Sequence, residues 1–212
     1  MTEETPQEEK KETEQTHHLA TEETYMTAGA HIGTRQKTAD MKDFIYKVLN
    51  DGLYIIDVNK TDERIRTAGR FIANFDLSQV LAVSVRQYGE KPIHKLSEHT
   101  GVTILPGRFR PGILTNPNAK GYLEPELLIA TDPLADIQAI REARNAGIPV
   151  VALCDTNNET KHIDMVIPTN NKGRRALALV YWLLSKAILK EKWKIANYDD
   201  FQIELEEFEA EI

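Results

Sequence analysis

The sequence has very little of what several protein classes require. A single cysteine, Cys154, among 212 residues leaves no partner for a disulfide within the chain, and its place in the apolar run VVALC indicates a buried small side chain. No apolar run reaches the roughly 18 residues that cross a bilayer, and the acidic N-terminus does not resemble a secretory signal. These absences predict a soluble, cytoplasmic protein with no membrane partner.

Motifs of nucleotide-binding and catalytic proteins are also missing. Neither GxGxxG nor GxxxxGK[ST] occurs, no serine lies in GxSxG, and the six histidines have no spacing typical of a zinc site or a triad. One enzymatic alternative stays open, because Asp132 and Asp155 follow apolar runs and are able to hold Mg²⁺ or form a carboxylate pair. Turn and helix-start chemistry is the competing explanation of both residues.

Positive charge is concentrated in the middle of the chain. The net charge is −7, but residues 1–24 carry −6 and residues 199–212 carry −7, which leaves +6 for residues 25–198. The acidic total therefore does not exclude a nucleic-acid partner. Because residues 1–24 contain almost no apolar groups, we expect an acidic disordered tail there. An α/β domain over 25–198 and an acidic C-terminal segment over 199–212 complete the predicted organisation.

Apolar runs and helical periodicity alternate regularly along this body. Two β-prone runs, 44–49 and 53–57, flank Asn-Asp-Gly and predict an antiparallel hairpin. The order β-α-β-β-α-β-β-α that follows predicts an open, doubly wound α/β domain with a mainly parallel sheet. The expected strands are 80–85, 102–105, 127–130, 150–153 and 165–167, and the expected helices run from Asn59 or Thr61 to about Asn74 and over 92–100, 134–145 and 172–192.

Basic loops follow several of these strands, at the ends where such sheets bind ligands. The loop 107–116, GRFRPGILTN, places an arginine on each side of Phe109, and arginine both grips phosphate and stacks on rings. Phe109 is either offered to a ligand or folded back onto the core. The pattern is typical of backbone-contacting RNA binding. The residues predicted to contact RNA are Arg35, Gln36, Lys37, Lys42, Arg86, Arg108, Arg110, Asn116, Lys172, Arg174 and Arg175.

Six motifs follow one another along the body of the chain. They are GAHIG (29–33), DGLYIIDVNKT (51–61), RFRPGILTN (108–116), TDPLAD (131–136), GIPVVALCDTN (147–157) and IPTNNKG (167–173). In the same order they resemble the family of the number-two protein of the small ribosomal subunit, and the match spans about residues 25–195. The sequence is similar to archaeal members, because the LTN motif leads almost at once to the next strand without the helical insertion of bacterial members. It resembles the branch of the eukaryotic laminin-receptor precursor but lacks that branch's long C-terminal extension, so no receptor role is expected.

The resemblance implies a flavodoxin-like three-layer sandwich that performs no chemistry, needs no cofactor or small-molecule substrate and binds small-subunit rRNA. It places the loops 35–42, 108–116 and 172–175 against RNA and adds neighbouring small-subunit proteins as partners. The apolar side chains Phe201, Ile203, Leu205 and Phe208 either dock on such a neighbour or pack on their own domain. Two other hypotheses remain: a nucleotide- or metal-dependent α/β enzyme that uses Asp132 and Asp155, and an interaction module whose acidic ends dock on basic partners.

Overall fold

The computed structural model describes residues 19–211, which contain five α-helices and seven β-strands. Short 3-10 turns lie before the first strand and before the third, at Lys42–Phe44 and Leu77–Gln79, and two more follow the last helix, at Tyr198–Asp200 and Leu205–Phe208. In chain order the elements are α1 (Glu22–Ala28), β1 (Ile45–Val48), β2 (Tyr54–Ile56), α2 (Val58–Ala73), β3 (Val80–Ser84), α3 (Gln87–Thr100), β4 (Thr103–Pro106), β5 (Leu127–Ala130), α4 (Ile137–Ala146), β6 (Val150–Cys154), β7 (Met165–Pro168) and α5 (Arg174–Glu191).

Strands β3 to β7 form one parallel sheet in the order β4-β3-β5-β6-β7. Every residue of β3, β5 and β6 is buried, as expected for strands covered on both faces. Along the chain β3 is the first strand of this sheet, β4 the second and β5 the third. The spatial order is therefore 2-1-3-4-5, which is the strand order of flavodoxin-like folds. The predicted α/β class with a mainly parallel sheet is confirmed. The crevice between β3 and β5 is the position where such sheets hold their ligands.

Helices cover both faces of the sheet and complete three layers. On one face α2, α3 and α5 pack together over the sheet, with Ile65 and Tyr181 among their fully buried side chains. Helices α2 and α5 meet at Gly69, where a Cβ atom would lie 2.5 Å from the Cβ of Ala187, so this crossing requires glycine. The other face is covered by α4 together with apolar side chains of the long 107–126 connection between β4 and β5.

The predicted N-terminal hairpin is also confirmed, since β1 and β2 pair antiparallel. Gly52 in its turn has φ 78°, a left-handed conformation that glycine adopts without strain. The segment before the hairpin is tied to β2 on its other side: Gly33 N–H donates to the Tyr54 carbonyl at 3.0 Å, and Tyr54 N–H donates to the Thr34 carbonyl at 3.0 Å. These bonds fix the position of Thr34, at which the basic loop begins.

The helices begin at different residues from those predicted. Helix α2 begins at Val58 because the Asp57 side chain caps it by accepting from Asn59 N–H at 3.0 Å. Helix α3 begins at Gln87, five residues before Pro92, whereas α4 begins only at Ile137, because Asp136 N–H bonds to the Asp132 carbonyl at 2.7 Å in a separate turn. Of the helices in the described part of the chain, none is both long and apolar enough to span a membrane.

Both ends of the described chain pack on the domain. Residues 19–24, which the sequence assigns to the tail, are ordered: Leu19 is buried, its N–H donates to the Asp62 carboxylate at 2.7 Å, and α1 begins at Glu22. The boundary of the domain therefore lies earlier than residue 25, and the rest of the predicted tail, residues 1–18, lies outside the described residues. At the other end, residues 201–211, here called the C-terminal segment, lie against α3 and α5.

Candidate nucleic-acid interface

The predicted basic residues are brought together mainly at one edge of the sheet, here called the carboxyl edge, where all five parallel strands end. Residues 34–38 form the RQK loop, and hydrogen bonds hold it on the end of β6. Thr34 N–H donates to Thr156 Oγ1 at 2.9 Å, Thr156 Oγ1 donates to the Gln36 carbonyl at 2.9 Å, and Thr38 Oγ1 donates to the Asn158 carbonyl at 2.7 Å. Arg35, Gln36 and Lys37 are exposed on this loop.

Residues 107–116 form the RFR loop, which leaves the carboxyl end of edge strand β4. Gly107 has φ 75° and donates its N–H to the Ser84 carbonyl at 2.8 Å, so the turn out of β4 is fixed against β3. Phe109 is only 5% exposed and belongs to the core beneath α4, whereas Arg108 and Arg110 are exposed. The structure therefore decides between the two interpretations of Phe109: its ring anchors the loop and is not offered to a ligand.

The two basic loops lie on either side of the crevice between β3 and β5. The RFR loop starts from β4 and the RQK loop rests on β6, and β3 and β5 lie between these strands. Three strand spacings separate their bases, or about 14 Å. Asn116 ends the RFR loop as an exposed residue whose Oδ1 accepts from Asn118 N–H at 3.0 Å, and Lys42 is exposed in the 3-10 turn beyond the RQK loop.

The crevice itself is filled by a buried polar network centred on Asp132, which is fully buried. One carboxylate oxygen accepts from the Arg86 guanidinium at 2.5 and 2.7 Å. The other accepts from Asn158 Nδ2 at 3.0 Å, from Asn171 Nδ2 at 3.3 Å and from Leu134 N–H at 3.0 Å. Asn158 and Asn171 are themselves fully buried, so the ligand position of a flavodoxin-like fold is occupied by the protein's own side chains.

The second carboxylate of the enzymatic hypothesis is also engaged. Asp155, 1% exposed, accepts from Lys172 Nζ at 2.6 Å, and the same ammonium group donates to Asn157 Oδ1 at 2.8 Å. Among residues 19–211, no three histidine, cysteine, aspartate or glutamate side chains are placed to hold a metal ion. Burial raises the pKa of the Cys154 thiol well above its usual range, so it stays protonated. The geometry favours the structural explanation of Asp132 and Asp155.

Four of the predicted RNA-binding side chains already have acidic partners within the chain. Arg86 and Lys172 are about one-third exposed and turn inward to Asp132 and Asp155. Arg174 and Arg175, at the start of α5, both contact Glu209 of the C-terminal segment, at 2.6 and 3.3 Å. Arg174 also donates to the Ala210 carbonyl at 3.1 Å. Asp132 and Asp155 thus compensate the charges of Arg86 and Lys172, whereas the single carboxylate of Glu209 is shared by Arg174 and Arg175. RNA contact by these four side chains stays a prediction.

Sequence reasoning missed two buried carboxylates that shape this edge. Asp136 is 1% exposed and accepts from Val85 N–H at 2.8 Å and Asp132 N–H at 2.9 Å, so it joins the ends of β3 and β5. Glu142 is 4% exposed on α4 and accepts from backbone N–H groups of the RFR loop. The signal for Glu142 was its position, because it shares a helix face with Ala139, three residues earlier. An acidic side chain on an apolar stripe needs a partner.

Asp136 makes the stability of the domain depend on pH. Burial raises the pKa of its carboxyl from 3.8 to about 7; the charge of Asp132 acts in the same direction, and the backbone N–H donors partly oppose it. Since the folded-state pKa lies above the unfolded one, the stabilising contribution of this group is complete below about pH 4 and is lost as the pH rises through 7. We expect the free energy of unfolding to fall by roughly 2 to 3 kcal/mol between pH 5 and pH 8 from this group.

Urea unfolding at pH 5 and pH 8 measures this change, with Asp136→Asn as the comparison because its amide does not titrate. The variant is expected to lose this part of the pH dependence. The carboxyl ¹³C shift of Asp136, followed by NMR in the wild-type protein, reports the titration directly and needs no variant. A midpoint near pH 4 would contradict the prediction.

Comparisons with known proteins show which family the chain belongs to. The family model described as ribosomal protein S2 matches residues 25–120 and 119–191. Small ribosomal subunit protein uS2 of Thermoplasma acidophilum is 52% identical over 194 residues, which cover 92% of this chain and 98% of the relative, and uS2 of Thermoplasma volcanium gives the same figures. The uS2 protein of Haloquadratum walsbyi is 52% identical over 90% of this chain and 66% of its own length. The chain belongs to the ribosomal protein S2 family.

Proposed function

We propose that this protein is a non-catalytic, structural constituent of the small ribosomal subunit, where it takes part in translation by binding small-subunit rRNA. Its archaeal relatives at 52% identity bear the name of a small ribosomal subunit protein. Its partners are that rRNA and neighbouring small-subunit proteins, and its place is the ribosome of the cytoplasm. Neither a small-molecule substrate nor a cofactor belongs to this function.

One observation carries the proposal: two exposed basic loops flank a crevice that the protein closes with its own side chains. The RQK and RFR loops are held on β6 and against β3 by side-chain and backbone hydrogen bonds, so their cations project from a fixed edge. Between them Asp132 and its partners occupy the position where such a fold holds its ligand. Such a surface suits a long polyanion lying across the edge, because backbone phosphates need fixed cations and no pocket.

The structure divides the predicted RNA-binding residues into two groups. Arg35, Lys37, Arg108 and Arg110 are exposed at the carboxyl edge and form the primary contact set in this proposal. Gln36, Lys42 and Asn116 extend it along the same loops. Arg86, Lys172, Arg174 and Arg175 contribute only where RNA phosphates replace Asp132, Asp155 or Glu209 as their partners. We rank these four as secondary contacts for that reason.

Neutralising the primary set tests the proposal. We expect the combined variant Arg35→Gln, Lys37→Gln, Arg108→Gln and Arg110→Gln to bind small-subunit rRNA about a hundredfold more weakly near 0.15 M salt. The slope of log K against log salt is expected to become shallower by about three, because roughly 0.7 to 0.9 counterions are released for each phosphate neutralised. Filter binding to in vitro transcribed small-subunit rRNA over a salt series measures both quantities.

A charge-matched control separates these loops from net charge. Arg70, Arg141, Arg144 and Lys194 are exposed and lie on α2, on α4 or beyond the end of α5. Their combined replacement with glutamine removes the same charge and is expected to leave most of the affinity intact. Equal losses in both variants would contradict the assignment to the carboxyl edge, and unchanged binding in the first would contradict rRNA binding by these loops. Sedimentation with small subunits after a high-salt wash tests whether the first variant also binds assembled particles more weakly than the control variant does.

A further inference from the structure

The RFR loop depends on a buried carboxylate that lies outside it. Glu142 on α4 is 4% exposed, and its Oε1 accepts from Gly112 N–H at 2.7 Å. Its Oε2 accepts from Leu114 N–H at 3.1 Å and lies 3.5 Å from Thr115 Oγ1. The Gln138 amide, one turn earlier on α4, donates to Oε1 at 2.8 Å. The carboxylate therefore bridges the helix and three positions near the end of the loop, Gly112, Leu114 and Thr115.

This arrangement is unusual for a residue whose only role is packing. Burying a carboxylate is costly unless its charge is compensated. Among the ion pairs of the described residues none involves Glu142, and its charge is met by backbone N–H donors and one side-chain amide. Hydrogen bonds to an ionised acceptor are about twice as strong as neutral ones. The carboxylate is therefore suited to hold a particular conformation of the loop backbone.

The loop needs such a restraint. Between the end of β4 at Pro106 and the start of β5 at Leu127 the chain forms no helix or strand. Connections of this length without secondary structure are uncommon and often functional. Ile113 and Leu114 are buried, 2% and 3% exposed, and the Ile113 carbonyl accepts from Leu123 N–H at 2.9 Å. Glu142 thus holds the backbone at the point where the loop returns to the core, two residues after Arg110.

We infer that Glu142 is a positioning residue for RNA binding: it holds Gly112 and Leu114 so that Arg108 and Arg110 are already arranged for phosphate before RNA arrives. Arg110 is joined to the restrained Gly112 through Pro111 alone, and Arg108 is separated from Arg110 by the buried Phe109. Arg110 thus lies between the buried Phe109 and the restrained Gly112, and Arg108 lies between Phe109 and Gly107, whose N–H is bonded to the Ser84 carbonyl. Preorganisation of this kind reduces the ordering cost of binding. The inference rests on the proposed rRNA-binding function.

A double-mutant cycle tests the inference. Glu142→Gln keeps the side-chain size but places an NH₂ group against a backbone N–H, so one of the two restraints is lost. We expect this variant to bind small-subunit rRNA about tenfold more weakly, with a shallower salt slope. The pair Arg108→Gln and Arg110→Gln is expected to lose more, and adding Glu142→Gln to that pair is expected to cost nothing further, because the restraint acts only through these arginines.

Two further variants keep the outcomes distinct. Glu142→Asp retains the charge with a shorter side chain, and we expect an intermediate loss that also vanishes when Arg108 and Arg110 are replaced. It serves in place of Glu142→Gln should that variant not fold, as judged by thermal unfolding. Asp164→Asn is the matched control, since Asp164 also accepts from a backbone N–H, that of Val150 at 2.8 Å, but at the opposite ends of the strands. We expect it to leave rRNA affinity unchanged.

The results separate the inference from the proposed function. Losses that add when Glu142→Gln is combined with the arginine pair would overturn the positioning role while leaving rRNA binding intact. If the arginine pair alone has no effect, rRNA binding by this loop fails. Hydrogen exchange of the Gly112 and Leu114 amides in the free protein then still decides whether Glu142 restrains the loop: faster exchange in Glu142→Gln supports the restraint, and unchanged exchange overturns it.

Discussion

Replacing Asp132 with alanine is expected to lower the free energy of unfolding by about 3 kcal/mol, because a buried donor left without its acceptor costs about 1 to 3 kcal/mol. Most of this loss of stability comes from the buried amides that Asp132 no longer accepts from. Asn158 and Asn171 are fully buried, and each would lose an acceptor for its side-chain amide. Arg86 is one-third exposed and can turn to water, so its ion pair contributes little to this figure.

Urea or thermal unfolding of Asp132→Ala measures this effect, and Asp51→Ala provides the control. Asp51 is exposed in the hairpin turn, and its replacement is expected to change stability by less than about 0.5 kcal/mol. The comparison also decides between two roles for Asp132. A structural hub loses stability when it is removed, whereas a catalytic or metal-binding carboxylate would leave stability nearly unchanged. Wild-type stability in Asp132→Ala would therefore revive the enzymatic hypothesis.

The sheet was predictable because its signal is local. Each buried parallel strand appears as a short continuous apolar run, and β5, expected at 127–130, is found at Leu127–Ala130. Helix starts are less predictable because a cap or a turn of a few residues decides where each helix begins, and several neighbouring residues are able to form one. Asp57 was assigned to the end of a strand, yet its carboxylate caps α2. Pro92 was expected to begin α3, but that helix starts five residues earlier, at Gln87.

The candidate site was predictable in position but not in electrostatics. The sequence shows which loops carry arginine and lysine, and the parallel order of strands places those loops at one edge. It does not show which carboxylate each cation meets, because the partners are far apart along the chain. Arg86 pairs with Asp132, 46 residues later, and Arg174 with Glu209, 35 residues later. Such contacts follow from tertiary packing, so a count of the loop arginines and lysines overstates how many cations face RNA without an acidic partner.

The second large effect concerns the C-terminal segment, where replacing Phe208 with alanine is expected to destabilise the protein by about 3 to 5 kcal/mol, as large-to-small substitutions of buried aromatic residues do. Phe208 is fully buried, and its ring centroid lies 5.8 Å from that of His99 on α3. The residues just before Phe208 are also held on the domain, since Trp182 Nε1–H on α5 donates to the Ile203 carbonyl at 2.7 Å. The segment is thus part of the domain core, as one of the two interpretations from sequence expected.

Glu206→Ala is the matched control for Phe208→Ala, because Glu206 lies on the same 3-10 turn and is exposed. It is expected to change the free energy of unfolding by less than about 0.5 kcal/mol. Wild-type stability in Phe208→Ala would show that the segment leaves the domain in solution, with its apolar side chains free for a neighbouring protein. A large loss has the opposite consequence for RNA binding. A segment anchored through a core aromatic ring keeps Glu209 beside Arg174 and Arg175, so RNA phosphates must compete with a tethered carboxylate for these two arginines.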